Sequence, residues 1–260
     1  MEKLNMSKLL DTSESNTKIR KTNRKYDKDL LTYLSNAMNR NVTQFRLAGL
    51  SLAPSDWACP ASRAADCQRS CLMSAGRGKM SNVKTGRERK RDWLRNDPQS
   101  FLAKLKKELH NFSQLCIRNA QLPVVRLNVI SDIVWEHAKY NIPQQFPDIM
   151  FYDYTKLSGR LNNTPDNYHL MFSWSGAPNY QRSVDRALAY DHPISAVFDM
   201  EFPSTFLNRK VIDGDESDLT NLVHRNHIIG LRAKGDAIGS KEPFVLNPNN
   251  ITHYRISRAA

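Results

Sequence analysis

Early in the chain, apolar residues recur at steps of three and four. Leu30, Leu31 and Leu34 share one face of a short helix expected between Asp27 and Met38. A longer helical region is expected from about Val83 to Asn119. Asn96-Asp-Pro98 interrupts it, so a second helix starts there with the proline in its first turn. Phe101, Leu102, Leu105, Leu109, Phe112 and Cys116 give that helix a buried stripe. Beyond it the period shortens. Strand-like runs appear at Pro123–Asn128, Ile149–Tyr154, Tyr168–Ser173, Ile194–Met200 and Ile228–Ala233, with helical or irregular connectors between them. Strands alternating with connectors predict a parallel α/β sheet, and no repeat of fixed period is visible.

Alternation within these runs divides them into two sides. Val125 and Leu127 face away from Arg126 and Asn128. Leu170, Phe172 and Trp174 oppose His169, Met171, Ser173 and Ser175, and Ile229 and Leu231 oppose Arg232 and Lys234. A parallel sheet covered on both faces reads as nearly continuous apolar residues. One polar and one apolar side instead predict a partial or distorted TIM-like barrel, with helices outside and a polar cavity inside. The expected organisation is a mobile, basic arm over 1–40 that includes the short helix, then one α/β partial-barrel domain over 41–260. A helical, loop-rich extension in that domain carries a cysteine loop at 57–78 and a basic helical segment at 79–119. Residues 40–56 read as extended, ending in the Pro54-Ser-Asp turn, and Gly76-Arg-Gly78 as a flexible break.

Three of the four cysteines lie within that loop. Cys59, Cys67 and Cys71 are spaced C-x7-C-x3-C, which is neither a zinc-ribbon pair nor a ferredoxin run. A short loop gathers thiolates at low entropic cost, and three thiolates suit an iron–sulfur cluster with one open iron. A zinc ion completed by a His or Asp, a disulfide with a spare thiol, and unligated cysteines are the alternatives. Cys116 belongs to the helical stripe and is expected in the core. Clustered cysteines favour metal over disulfide in a reducing, cytoplasmic setting. No apolar run approaches the length of a membrane span, and the lysine-rich start lacks the apolar region of a secretory signal.

The formal net charge is +12 over 260 residues. Residues 77–107 hold eleven Lys or Arg against three acids, and the first 26 hold seven against three. Such charge predicts a nucleic acid or a phosphate-rich ligand as partner. Arg87, Arg89, Lys90, Arg91 and Arg95 are the expected phosphate contacts; Trp93 is either a stacking ring or a core anchor.

Polar residues cluster where the strands end. In parallel α/β folds ligands sit at the carboxyl ends, so residues far apart in sequence converge there. Asp132, Asp153 and Lys156 are the candidate catalytic groups. Asn128, Ser173, Ser175, Arg232 and Lys234 are the candidate substrate-binding groups. Lys156 and Arg232 suit phosphate or carboxylate, and the two aspartates suit ribose hydroxyls or base amines. Asp213-Gly-Asp215 with Asp218 lacks the twelfth-position Glu of a calcium loop and reads as an acidic turn. His224 and His227 read as loop imidazoles. No P-loop, dinucleotide fingerprint or nucleophile elbow is present.

Several blocks carry a resemblance. These are Cys59-Pro-Ala-Ser with Cys67 and Cys71, Val125-Arg-Leu-Asn128 with Ser131-Asp132, and Phe151-Tyr-Asp-Tyr-Thr-Lys156. Asn167-Tyr-His-Leu170 with Phe172-Ser173, Asp213-Gly-Asp215 with Asp218, and Gly230-Leu-Arg-Ala-Lys-Gly235 complete the set. Over roughly 45–246 the chain resembles the bacteriophage family called gene product 88, which implies a phage or prophage origin and brings no activity. A more distant likeness is to radical S-adenosylmethionine enzymes, which also place three cysteines before a partial barrel. Their spacing is C-x3-C-x2-C, and their Gly-Gly-Glu run is missing here. Two functions are expected in parallel. One is an iron–sulfur enzyme, of radical type with S-adenosylmethionine, acting on a nucleotide or nucleic acid. The other is a nucleic-acid-binding phage protein with a structural zinc or iron–sulfur site and no catalysis.

Overall fold

Parallel strands laid side by side in nearly sequential order dominate the molecule. A computed structural model describes residues 8–12, 28–37, 39, 42–219, 222 and 224–252. Its strands are β1 (Leu10–Asp11), β2 (Gln44–Leu50), β3 (Gln121–Arg126), β4 (Met150–Thr155) and β5 (Tyr168–Ser173). They continue as β6 (Ile194–Phe198), β7 (Thr205–Phe206), β8 (Arg209–Asp213), β9 (Ile228–Arg232) and β10 (Val245–Leu246). The order across the sheet is β1-β2-β3-β4-β5-β6-β9-β8-β7. Neighbours from β2 to β8 run parallel, while β1 and β7 add antiparallel edges. Among the described residues no ladder joins the two edges. β5 pairs β6 only through Ile194 and Ser195, and β10 pairs it further on, at Val197 and Phe198.

The helices are α1 (Lys28–Ala37), α2 (Ser81–Asn96), α3 (Pro98–Arg118), α4 (Ile142–Gln145) and α5 (Gln181–Leu188). The break between α2 and α3 falls at the expected Asn96-Asp-Pro98. The Asp97 side chain accepts from Ser100 N–H at 3.1 Å, and Pro98 occupies the first turn. α3 buries Phe101, Leu105, Leu109, Phe112 and Cys116 against β-strand residues such as Val125, Phe151 and Phe172. Each large apolar side chain so buried contributes about 1.5–3 kcal/mol. Cys116 is fully buried in this core, as its place on the stripe predicts. Trp93 is a core anchor: its ring meets Phe101 edge-on at 5.2 Å, and Nε1 donates to Ser100 Oγ at 2.7 Å.

The opposite face corrects the expected polar interior. Leu122, Val124, Met150 and Tyr152 form a second apolar cluster with Phe45 and Leu47, closed by Leu30 and Leu34 of α1 and by Leu219. Alternation within strands misses this because the covering helix comes from the amino-terminal side of the sequence. Arg126 brings a charge to that face. It pairs with Asp218 at 3.2 Å, and Tyr152 OH donates to the same carboxylate at 3.2 Å.

Part of the expected mobile arm also differs. Leu9 and Leu10 are buried, their N–H groups donate to the Glu108 carboxylate, and β1 pairs β2. Residues 1–7 and 13–27 of the arm lie outside the described residues. The extended stretch after residue 40 is a core strand, β2, and Gly78 is buried against the Met73 carbonyl. No helix among the described residues is long and apolar enough to cross a membrane.

Candidate functional site

The cysteine loop lies across the carboxyl ends of the parallel strands. After β3, Asp132 N–H donates to Ala58 O at 2.7 Å, and Cys59 Sγ donates to Ile130 O at 3.7 Å. After β5, the buried Ser175 hydroxyl donates to Ala65 O at 2.6 Å. Beyond β9, Asp236 N–H donates to Ser74 Oγ at 2.9 Å, and Glu242 accepts from the Ser70 N–H at 3.1 Å and from the Ser70 hydroxyl. Gly235 permits this closure. Its φ is +60°, and a Cβ there would stand 2.5 Å from Ser74 Oγ and 2.8 Å from the Ser74 backbone.

Lys156, directly after β4, sits beneath the loop. Its Nζ donates to Ser173 Oγ at 3.1 Å and Ser173 O at 3.3 Å. The same ammonium lies 4.3 Å from the Phe244 ring centroid and 5.5 Å from that of Tyr180. β10 puts Phe244 there, and Tyr180 is held by its hydroxyl on Lys156 O at 2.7 Å and by stacking on Phe172. Burial lowers the Lys156 pKa; Cys67, Asp132, Cys59 and Cys71 oppose that shift in decreasing order. All three thiols are thus within electrostatic reach of this ammonium.

Burial governs the thiols as well. It pushes Cys59 up to about 12, helped by the Asp132 charge. It raises Cys67 against the pull of Lys156, and raises Cys71 against the Met73 amide, Arg87 and Lys156. Cys67 Sγ, like Cys59, is turned to a carbonyl, Ser62 O at 3.7 Å. With the thiols in these positions, no group of three or more His, Cys, Asp or Glu among the described residues is placed to hold a metal ion. The donor set itself, three thiols on one short loop, suits a soft metal. A second cation acts on Cys71: this is Arg87, whose buried Nη1 has no hydrogen-bond partner among the described residues.

Asp132 and Asp153 come together here, but inside a network that occupies their oxygens. Asp132 Oδ1 accepts from Thr155 Oγ1 at 2.8 Å and Arg160 Nη1 at 2.7 Å, while Oδ2 accepts from Lys156 N at 2.8 Å. Arg160 also grips Glu136 with two bonds, at 2.8 and 2.9 Å. Asp153 accepts from Asn128 N at 2.7 Å, from Asn128 Nδ2 at 3.2 Å and from the Tyr168 hydroxyl at 2.6 Å. Asn128 Oδ1 in turn receives Ser131 Oγ, Ile133 N and Trp135 Nε1. Burial raises both carboxyls, Asp153 to about 7. This network fixes the rim's shape, and Lys156 is the predicted catalytic residue left facing the loop.

The remaining candidates separate. Arg232 and Lys234 end β9 but are bound there: Arg232 N–H and the Lys234 ammonium both take Asp215, and Arg232 lies over Phe202 and 3.6 Å from Glu201. In the basic segment, Lys90 donates to Leu9 O and Arg91 pairs with Asp92, so Arg89 and Arg95 are the exposed members. Sequence reasoning missed Arg160, Glu136, Tyr168, Tyr180 and Phe244. The signal for Arg160 was slight: a lone cation in the short turn after Thr155-Lys156.

No curated protein and no solved structure matches the chain. The distant likeness to radical S-adenosylmethionine enzymes gains no support from them. A family model does match, that of gene product 88, over residues 8–246. Since that stretch spans all but the two ends of the chain, the protein belongs to the gene product 88 family.

Proposed function

We propose that residues 41–260 form one partial barrel, and that Cys59, Cys67 and Cys71 hold an iron–sulfur cluster, or alternatively a zinc ion, over its carboxyl rim. Arg87 carries this reading. Its buried Nη1 has no hydrogen-bond partner among the described residues, and with Lys156 it opposes the burial that keeps the Cys71 thiol neutral, so a metal-bound thiolate there would meet two cations. A cluster with three protein ligands would supply an open iron for S-adenosylmethionine or substrate and one-electron chemistry. The chain's own part is to hold and exclude. The loop covers the rim, Lys156 offers a point charge to a phosphate or carboxylate, and the Arg160 network keeps that lysine in register. We assign the site a radical-type reaction on a nucleotide or nucleic acid in the cytoplasm of a phage-infected host.

Metal and sulfide content of anaerobically purified protein tests the reading. Iron with visible absorbance is expected, and Cys59→Ser, Cys67→Ser or Cys71→Ser should each lose the metal. Full iron or zinc stoichiometry in Cys59→Ser would falsify it. Exposed Arg89 and Arg95 favour a second reading, a nucleic-acid binder with a structural zinc. It predicts colourless protein with zinc, and DNA or RNA affinity that falls steeply with salt.

A further inference from the structure

A second concave site opens at the other, amino end of the same strands. It is lined by Tyr33 of α1, Asn162 and Asp166 of the β4–β5 connection, His169 at the start of β5, His192 before β6, and Arg225 before β9. Its volume is about 310 Å³, within the ~300–1,000 Å³ range of small-molecule sites. Cysteine-loop residues take no part in its lining.

The groups here are complementary in kind. Arg225 is exposed and has no carboxylate partner among the described residues, yet its charge reaches both His169 and His192. The His169 ring makes no hydrogen bond with other described residues. Burial first, then Arg225, lowers its pKa to about 4, so at neutral pH the ring is uncharged and offers one donor and one acceptor. His192 Nε2 stands 3.2 Å from Asn162 Oδ1, which orients that ring. Asp166 supplies an acceptor for hydroxyl or amine donors. Tyr33, with 42% of its surface exposed, offers a ring face at the mouth. Inorganic phosphate would use Arg225 and a histidine N–H, would leave the Tyr33 ring unused and would meet the Asp166 charge. A ligand with an anionic end, hydroxyl or amine donors and a flat ring uses all of these groups.

We propose that this cavity binds a nucleoside monophosphate, with its phosphate on Arg225, its donors on Asp166 and His169, and its base against Tyr33. The site is independent of the metal reading, since the cysteines lie at the far end of the strands.

Calorimetric titration of the full chain with AMP and CMP, the matching nucleosides, and inorganic phosphate alone tests it. A mononucleotide should bind with Kd below about 1 mM. Nucleoside and phosphate alone should each bind at least about tenfold more weakly. Arg225→Gln should weaken the mononucleotide by about tenfold or more, and Tyr33→Ala should weaken it without changing phosphate binding. A variant with all three loop cysteines changed to Ser should bind it as wild type does, whatever its metal content. Absence of mononucleotide binding at millimolar concentration, equal affinity for phosphate alone, or unchanged binding in Arg225→Gln would each overturn the proposal.

Discussion

Changing Asp153 to Asn isolates the titration of one buried carboxyl. Burial, opposed by the Tyr168 hydroxyl, Arg126 and the Asn128 amide, sets its folded pKa at about 7. In the unfolded chain it is about 3.9. Between those values the folded protein keeps a proton that the unfolded chain has released. The group therefore adds stability fully below about pH 4, and that stability is lost as pH rises through about 7. Three units at about 1.36 kcal/mol each give about 4 kcal/mol as an upper bound. Asparagine has no proton to take up. The difference in unfolding free energy between wild type and Asp153→Asn should thus shrink by up to about 4 kcal/mol from about pH 4 to pH 8. A pH-independent loss of about 1–3 kcal/mol accompanies it, because an amide replaces an acceptor facing the Asn128 Nδ2 donor. Urea denaturation across that range, followed by fluorescence of the buried Trp135 and Trp174, measures the difference. A difference that stays constant with pH, or widens toward alkaline pH, would refute the reasoning.

Other perturbations address the rest of the rim. Arg160→Met strands Asp132 and Glu136 in the interior and should destabilise by about 3–5 kcal/mol in urea unfolding. Gly235→Ala should speed proteolysis within 55–80 while leaving the far-ultraviolet dichroism of the sheet and helices unchanged, because its Cβ collides with Ser74. Cys116→Ser buries a hydroxyl among apolar side chains; a stability loss of about 1–3 kcal/mol with unaltered metal content is expected from denaturation and metal analysis.

What the sequence made legible was local. Tyr168–Ser173 was expected as a strand and is one, and the helix break at Asn96-Asp-Pro98 stands where proline and cap chemistry put it. Convergence of Asn128, Asp132, Asp153, Lys156 and Ser173 followed from parallel strands sharing one rim. Hidden features were long-range. Glu136 and Arg160 lie 24 positions apart, and nothing in their spacing announces a pair. The covering of the second face by α1 was equally invisible, since alternation reports two sides but not what reaches them. The two-residue strands β7 and β10 are too short to have a period.

The attachments of the cysteine loop set a timetable for its completion during translation. Cys71 is made early, but Glu242, which takes Ser70, follows 171 residues after it (242 − 71). At about 5–20 residues per second that interval is roughly 10–30 s. The anchors arrive in sequence: Asp132, then Ser175, then Asp236 and Glu242. Until Asp236 and Glu242 are made, the loop lacks the contacts that hold Ser70 and Ser74. The contacts that shut the far side over the thiols come later than the other anchors.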